Sequence, residues 1–313
     1  MQYRNDEQTE ENLVTDDRRT IAVIGATGAQ GGSVVRELAR RGRFRVRALT
    51  RNPESYTGPA DEVALADLDD AETLGPAFEG AYGVFVVTNF WAPGTDEVAQ
   101  GTAAVAAARA AGVQHFVWST LPDVEALSGG RWDVPHFTSK ARVDAVVRDA
   151  EFPLYTFVQP PFYFENLTDN MAAQPMPDGR QGWAMPLPAD ARVVHAGSVQ
   201  DLGGVVSGAF EHPERVGNGA YLSSAAGVLS FGDMVTTLNA QGHDLSYQEV
   251  PAEAFATFFP GAEEMAQMTG YWQESTYLGP DAEGKIALGH EVTTAPLRDF
   301  ATWAAEELPA ARG

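Results

Sequence analysis

Three glycines form the clearest chemical pattern in the sequence. Gly25, Gly28 and Gly31 are spaced Gly-x-x-Gly-x-x-Gly between a short apolar run, TIAVIGA, and a helical pattern that ends at Gly42. At a strand-to-helix junction such glycines permit a tight turn, close backbone approach to a diphosphate, and close packing of helix on strand. The free amide groups of the helix start then bind the anion. The pattern therefore predicts a dinucleotide-binding loop.

Arg51 follows the next apolar run, FRVRALT. It lies about 20 residues past the glycines, where NAD-binding proteins carry an acidic residue for the ribose 2′-hydroxyl. A guanidinium suits a 2′-phosphate instead, so the sequence favours NADP(H) as the cofactor, with NAD(H) possible. Asp67, after a third strand pattern, has two open interpretations. It could accept a hydrogen bond from the adenine amino group, or it could cap the following helix.

Strand and helix patterns alternate through the first half of the chain. The strand patterns are TIAVIGA, FRVRALT, DEVALAD, YGVFVVT, QHFVWST and PLYTFVQ, and helical patterns separate most of them. This alternation predicts an α/β fold, a doubly wound and mostly parallel Rossmann sheet with a smaller C-terminal lobe. Ligands of such sheets bind at the carboxyl ends of the strands.

The sequence predicts three parts along the chain. Residues 1–19 are charged or polar and are expected to form a disordered acidic tail. Residues 20–160 form the NAD(P)-binding Rossmann domain. Residues 161–313 form a smaller substrate or partner lobe, because the alternation stops after QPP and Pro, Met and aromatic residues dominate up to residue 190. Some strands of this lobe, such as GAYLSS, are expected to return to the main sheet.

The composition argues against several classes of function. The 313 residues carry a net charge of −22, which disfavours nucleic-acid binding, and they include no cysteine and no clustered histidines, which argues against a metal site. No apolar run is long enough to cross a membrane, and no signal-peptide core is present, so a cytoplasmic location is expected. The acidic surface suggests either a halophilic protein, more stable in molar salt, or a GC-rich genome.

Six segments, in this order, resemble the NmrA-like group of atypical short-chain dehydrogenases/reductases. They are VIGATGAQGGSVVRELA, LTRNP, VFVVTNFW, HFVWSTL, HFTSKARVDAVVR and QPPFYFENL. The resemblance runs from about Thr20 to Leu167 and becomes diffuse beyond. It implies an extended Rossmann fold that binds NADP(H). One difference is that the family often carries a second basic residue in the arginine loop, whereas here Arg51 is followed by Asn-Pro-Glu-Ser.

The resemblance also implies a set of cofactor contacts. Residues of the glycine loop would surround the pyrophosphate, and others would contact the 2′-phosphate, the adenine, the two riboses and the nicotinamide. The set comprises Gly25, Ala26, Thr27, Gly28, Ala29, Gln30 and Gly31 at the pyrophosphate, Arg51 at the 2′-phosphate, Asp67 and Leu68 at the adenine, Thr88, Asn89 and Phe90 at the ribose and nicotinamide side, Lys140 at the nicotinamide ribose, and Tyr163, Phe164, Glu165 and Asn166 closing over the cofactor.

Three residues are candidates for catalysis: Ser119, His136 and Lys140. Short-chain reductases use a Tyr-x-x-x-Lys pair and a serine, and here His136 stands at the tyrosine position. His136 and Lys140 are four residues apart and share a helical face. His136 could be a binding residue of the cofactor site, a substitute proton donor, or a residue that packs at the helix start. Tyr163 is a further candidate donor.

The missing tyrosine and the resemblance favour a redox sensor or regulator with little or no dehydrogenase turnover, acting on a regulatory protein partner. The alternative is an NADPH-dependent reductase of a small apolar quinone, enone or carbonyl substrate. Five aromatic residues are candidates for lining its substrate pocket. They are Phe90, Trp91, Phe162, Phe164 and Trp183.

Overall fold

The computed structural model describes residues 16–308. Within this range the chain forms thirteen strands. They are β1 (Thr20–Val23), β2 (Arg45–Thr50), β3 (Glu62–Leu65), β4 (Gly83–Val86), β5 (His115–Ser119), β6 (Leu154–Val158), β7 (Phe162–Tyr163), β8 (Gln174–Pro175), β9 (Gln181–Met185), β10 (Val194–Gly197), β11 (Asn218–Leu222), β12 (Gly227–Leu229) and β13 (Leu245–Glu249).

The same range contains twelve α-helices. None of them is both long enough and apolar enough to span a bilayer. They are α1 (Ala29–Arg41), α2 (Ala71–Phe78), α3 (Glu97–Ala110), α4 (Val124–Ser128), α5 (Pro135–Asp149), α6 (Val199–Glu211), α7 (Pro213–Val216), α8 (Phe231–Ala240), α9 (Ala252–Phe255), α10 (Ala262–Ser275), α11 (Ala282–Val292) and α12 (Phe300–Glu307).

Seven strands form the central sheet, in the order β11-β6-β5-β4-β1-β2-β3. All neighbouring pairs are parallel. The six strands predicted in the first half occur in this sheet, and β11, which contains the GAYL segment, pairs with β6 at its edge. The predicted fold class, a doubly wound and mostly parallel Rossmann sheet with a smaller C-terminal lobe, is confirmed.

Helices cover both faces of the central sheet. On one face α1 and α6 pack together through an apolar cluster that includes Val34, Leu38 and Leu202. On the other face α2, α3 and α5 bury a second cluster against β4, β5 and β6. Helix α1 ends where the sequence predicts, because Gly42 takes a left-handed conformation (φ 65°) and its N–H donates to Leu38 O. This packing fixes the carboxyl edge of the sheet.

The C-terminal lobe contains two small sheets, β12-β10-β7 and β13-β9-β8. Its core is aromatic and includes the buried Trp272 and Trp303. Helix α9 is only four residues long. Helices α10 and α11 were not predicted, since their apolar residues do not form a continuous stripe along one face.

Most of the predicted tail, residues 1–15, lies outside the described residues. The last part of it contacts the sheet. Arg18 donates a hydrogen bond to Phe44 O (3.0 Å) and forms a salt bridge with Asp61 (2.8 Å).

Candidate cofactor and catalytic site

The glycine loop connects β1 to α1 in a conformation that depends on glycine. Gly25 has a φ of 69°, and its carbonyl accepts a hydrogen bond from Gly28 N–H at 2.8 Å. A Cβ on Gly31 would lie 2.3 Å from Gly25 O, so only glycine permits this approach of helix to strand. No side chain caps α1, and its first turn has no acidic residue. The loop therefore fits a diphosphate at the helix N-terminus.

A cavity of about 300 Å³ lies beside this loop. Its walls include Thr27, Gly32 and Arg36 on one side and residues 55–59 on the other. Arg36 hydrogen-bonds to Gln200 Oε1 from α6. Arg51 is exposed and directly follows β2. Arg36 is thus a second arginine near the glycine loop, although the four residues after Arg51 include no basic residue.

Sequence reasoning did not identify Arg36 as a site residue, because basic residues for the 2′-phosphate are expected in the loop after β2. Its position on α1, four residues after Gly32, could have identified it. Residues at this spacing share a helical face, so a side chain at position 36 lies over the glycine-rich first turn.

The predicted adenine contacts lie at the carboxyl edge of the sheet. Asp67 and Leu68 follow β3 and are both half-buried. Asp67 Oδ1 accepts from Asp69 N at 3.1 Å, whereas Asp70 caps α2 by accepting from Glu72 N. The alternative interpretation, in which Asp67 caps this helix, is therefore wrong.

Thr88, Asn89 and Phe90 follow β4, with Thr88 buried and Asn89 exposed. Asn89 Oδ1 accepts a hydrogen bond from Trp91 N at 3.1 Å, which orders this turn. The rings of Phe90 and Trp91 lie 5.8 and 5.1 Å from that of His136.

The other three aromatic candidates for the substrate pocket lie elsewhere. Phe162, Phe164 and Trp183 belong to the core of the C-terminal lobe.

Lys140 is buried and fully hydrogen-bonded. Its Nζ donates to Thr88 O and Thr88 Oγ1, both at 2.9 Å, and to Glu97 Oε1 at 2.5 Å. These three acceptors use all three N–H groups of the ammonium. Burial lowers the pKa of Lys140, and the charge and hydrogen bond of Glu97 act in the opposite direction. Lys140 must exchange one of these bonds before it can contact a ribose.

Glu97 was missed by the sequence reasoning. It is the first residue of α3, only 2% exposed, and it accepts hydrogen bonds from Thr88, Ser139 and Lys140. A buried charge needs a partner, and the carboxylate of Glu97 is the partner of the buried Lys140.

His136 lies at the start of α5 and contacts the C-terminal lobe. Its Nδ1 is 2.5 Å from Glu264 Oε1 in the first turn of α10, and its backbone N–H donates to the same oxygen at 3.2 Å. Burial raises the pKa of Glu264, but the hydrogen bonds and charge of His136 outweigh burial and leave that pKa below its ordinary value. The ionised form of Glu264 is therefore favoured, and it accepts a hydrogen bond when Nδ1 carries the hydrogen, so that Nε2 is the ring nitrogen that Glu264 does not contact.

Ser119 ends β5, and its side chain is directed at the glycine loop. Its hydroxyl donates to Gln30 Oε1 at 2.7 Å, which joins the end of β5 to the start of α1. Two predicted site residues thus contact each other, although 89 positions separate them in the chain.

Residues of the segment from Tyr163 to Asn166 contact both the C-terminal lobe and helix α6, which packs on the central sheet. Phe164 packs against Phe300 and Trp303 of α12. The carboxylate of Glu165 accepts from Ser198 Oγ and Val199 N at the start of α6. Tyr163 has a buried hydroxyl without a hydrogen-bond partner among the described residues, and burial raises its pKa well above the ordinary value.

The NmrA-like family model matches residues 17–305. The chain belongs to the NmrA-like family. This match extends far beyond Leu167, where the sequence motifs become diffuse. An NmrA-like family domain-containing oxidoreductase of Aspergillus hancockii, hkm9, is 33% identical over 322 residues, which cover 93% of this chain and 92% of the relative.

Solved structures share the NmrA-like fold over most of the chain. NmrA, a negative transcriptional regulator, has been solved in complex with NADP and with NAD. The two structures match with a TM-score of 0.75 at 23% and 24% identity, and each match covers 93% of this chain and 95% of NmrA. The NADPH-dependent quinone oxidoreductase QOR2 of Escherichia coli, complexed with NADPH, matches with a TM-score of 0.71 at 19% identity, covering 91% of this chain and 99% of QOR2.

Proposed function

We propose that this protein is an NADPH-dependent reductase of a quinone, enone or carbonyl substrate, with His136 as its proton donor. The observation that carries the proposal is the contact between His136 and Glu264. His136 lies four residues before Lys140 on α5. The sequence favoured a regulator because the tyrosine is missing and because of the family resemblance. In support of a reductase, Lys140 and His136 each have a carboxylate partner of their own, Glu97 for Lys140 and Glu264 for His136.

The cofactor would be held by residues that follow three strands and by one residue of α1. The glycine loop would bind the pyrophosphate at the start of α1, Arg51 and Arg36 would bind a 2′-phosphate, and Asp67 and Leu68 would border the adenine. Two arginines at that position favour NADP(H) over NAD(H). The complexes of NmrA with NADP and of QOR2 with NADPH support a nicotinamide dinucleotide. When bound, NADPH supplies the hydride.

The protein would supply the proton and the substrate orientation. Glu264 fixes the orientation and tautomer of the imidazole, and His136 transfers the proton from Nε2 to the substrate oxygen. The rings of Phe90 and Trp91 beside His136 offer an apolar surface to a flat substrate. Lys140 and Glu97 hold the turn after β4 in place through their hydrogen bonds with Thr88.

The test is NADPH oxidation by the purified protein against a panel of quinones, enones and aldehydes, in low and high salt. We expect turnover that falls in His136→Phe and in Lys140→Ala. The matched control is His212→Phe, since His212 is an exposed histidine that also lies beside a glutamate, Glu214. Turnover that is equal in wild type and His136→Phe would remove His136 from the chemistry.

A redox sensor is the second candidate, favoured by the likeness to the regulator NmrA and by the engagement of every N–H of Lys140. A sensor would bind NADP and NADPH with different affinities and would oxidise NADPH with no member of the panel. Tight NADPH binding without turnover in the same samples would therefore favour the sensor over the reductase.

A further inference from the structure

A second cavity of about 300 Å³ lies apart from the glycine loop and the His136–Glu264 pair. It is an open cavity lined by residues of α5, the turn before α4, the end of β6, β11 and α11. Its polar lining consists of Asp123, Asp144, Arg148, Gln159, Tyr221 and Lys285, and the rest of its wall includes Leu121 and Leu127. The volume is at the small end of the range for ligand pockets.

Two buried acceptor side chains line this cavity. Asp144 is 4% exposed and Gln159 is 3% exposed. Asp144 Oδ2 accepts from the Tyr221 hydroxyl at 2.6 Å, and the Thr120 hydroxyl, which lies 3.4 Å from Leu121 O, also hydrogen-bonds to the Asp144 carboxyl. Gln159 Oε1 has no hydrogen-bond partner among the described residues. A buried acceptor of this kind is costly unless a donor reaches it, so Gln159 points to a ligand with N–H or O–H groups.

Two cations in the same cavity have unused donors. Lys285 Nζ donates to Leu278 O at 2.9 Å and keeps two further N–H groups. Arg148 donates to the Tyr221 hydroxyl from the exposed rim. Lys285 is one of only two lysines in the chain. A carboxylate placed between Lys285 and Arg148 would meet both charges.

We propose that this cavity binds a small free α-amino acid, whose ammonium group donates to Asp144 Oδ1 and Gln159 Oε1 and whose carboxylate faces Lys285 and Arg148. The ammonium matches the unpartnered Gln159 Oε1 and the negative charge of Asp144, and the carboxylate matches the two cations. The apolar wall accommodates a small side chain. The site involves none of the residues assigned to the cofactor or to proton transfer, so it does not depend on the reductase proposal.

The ionisation of Asp144 gives the site a pH dependence. Burial raises the pKa of Asp144 to about 7, against the hydrogen bonds from Tyr221 and Thr120 and the charge of Arg148, while Asp123 raises it further. Lys285 faces Asp144 from α11. An ammonium ligand binds the ionised carboxylate, so affinity should increase between pH 6 and pH 8 as Asp144 loses its proton.

Isothermal titration of the full chain with glycine, alanine, serine, leucine and glutamate tests the proposal. Each is compared with a probe that lacks one charge, such as ethylamine or propionate for alanine. We expect at least one amino acid to bind, both single-charge probes to bind about tenfold more weakly or worse, and Asp144→Asn to reduce affinity about tenfold or more. Asp149→Asn, on the exposed side of the same helix, is the control and should bind as wild type.

Two further variants test the proposal if Asp144→Asn fails to fold. Lys285→Met tests the contact to the ligand carboxylate, and Gln159→Leu tests the second contact to the ligand ammonium. NADPH binding measured in the same samples should be unchanged in every variant. If none of the amino acids gives a binding heat, water alone occupies the cavity. If the folded variants bind an amino acid as tightly as wild type, the ligand binds elsewhere. Either result overturns the proposal.

Discussion

His136 Nδ1 and Glu264 Oε1 lie 2.5 Å apart although 128 residues separate them in the chain. The contact joins the start of α5 in the Rossmann domain to the start of α10 in the C-terminal lobe. Glu264 lies in the first turn of its helix, where an ionised carboxylate is stabilised by the helix dipole. The lobe therefore contributes directly to the candidate catalytic site.

The first prediction concerns Glu264→Gln, which keeps the shape of the side chain but removes its charge. We expect kcat to fall by about tenfold to a thousandfold, because the imidazole loses the charge that compensates its protonated form, and general acid catalysis contributes about 10²–10⁴. KM should change little if the substrate contacts only Nε2. The pH profile of kcat is the decisive measurement. If its acidic and basic limbs coincide with those of wild type, Glu264 does not act through His136.

The second prediction concerns the 2′-phosphate. Arg51→Ala should weaken NADPH binding by about tenfold to a hundredfold, because hydrogen bonds to charged groups contribute about 1.5–3 kcal/mol, and Arg36→Ala should have a smaller effect of the same sign. NADH affinity should stay unchanged in both variants. Fluorescence titration with the two cofactors gives the ratio directly. Equal losses for NADH and NADPH would show that the arginines do not contact the 2′-phosphate.

The third prediction concerns Gly31, where a Cβ would lie 2.3 Å from Gly25 O. Gly31→Ala should destabilise the fold by about 1–3 kcal/mol through overpacking and should weaken binding of both NADPH and NADH, since the loop must shift. The matched variant is Gly75→Ala in α2, where no atom lies within 4 Å of the added Cβ. It should stabilise the protein by about 0.4–1 kcal/mol. Thermal unfolding that ranks the two variants in the opposite order would contradict the packing argument.

Local patterns predicted the sheet and the glycine loop because both depend on neighbouring residues. The turn at Gly25 and the approach of Gly31 to Gly25 follow from a spacing of six residues, and each central strand before residue 160 is a short apolar run. The partners of the candidate catalytic residues are different. Glu264 is 128 residues from His136 and Glu97 is 43 residues from Lys140, so no periodic pattern connects them. Only the packing of α3 and α10 beside α5 shows that Lys140 and His136 each have a carboxylate partner.

The fourth prediction concerns the Lys140–Glu97 pair. Removing one partner leaves an uncompensated buried charge, so Glu97→Gln and Lys140→Met should each cost about 3–5 kcal/mol of stability. The double variant, in which neither charge is buried, should cost less than the sum of the two. Urea unfolding of the four proteins measures the coupling. Additive losses would show that the two charges do not depend on each other.

The pH dependence of Glu97→Gln adds an independent check. Burial already lowers the pKa of Lys140, and the variant removes the charge and hydrogen bond that raise it. Between the lowered pKa of Lys140 in the folded variant and its ordinary value of 10.5, the folded variant therefore binds fewer protons than the unfolded chain, and its stability must increase with pH in that window. We expect its deficit relative to wild type to shrink between pH 7 and pH 9. A deficit that stays constant would mean that Lys140 is exposed to solvent in the variant and that the buried pair does not position the turn after β4.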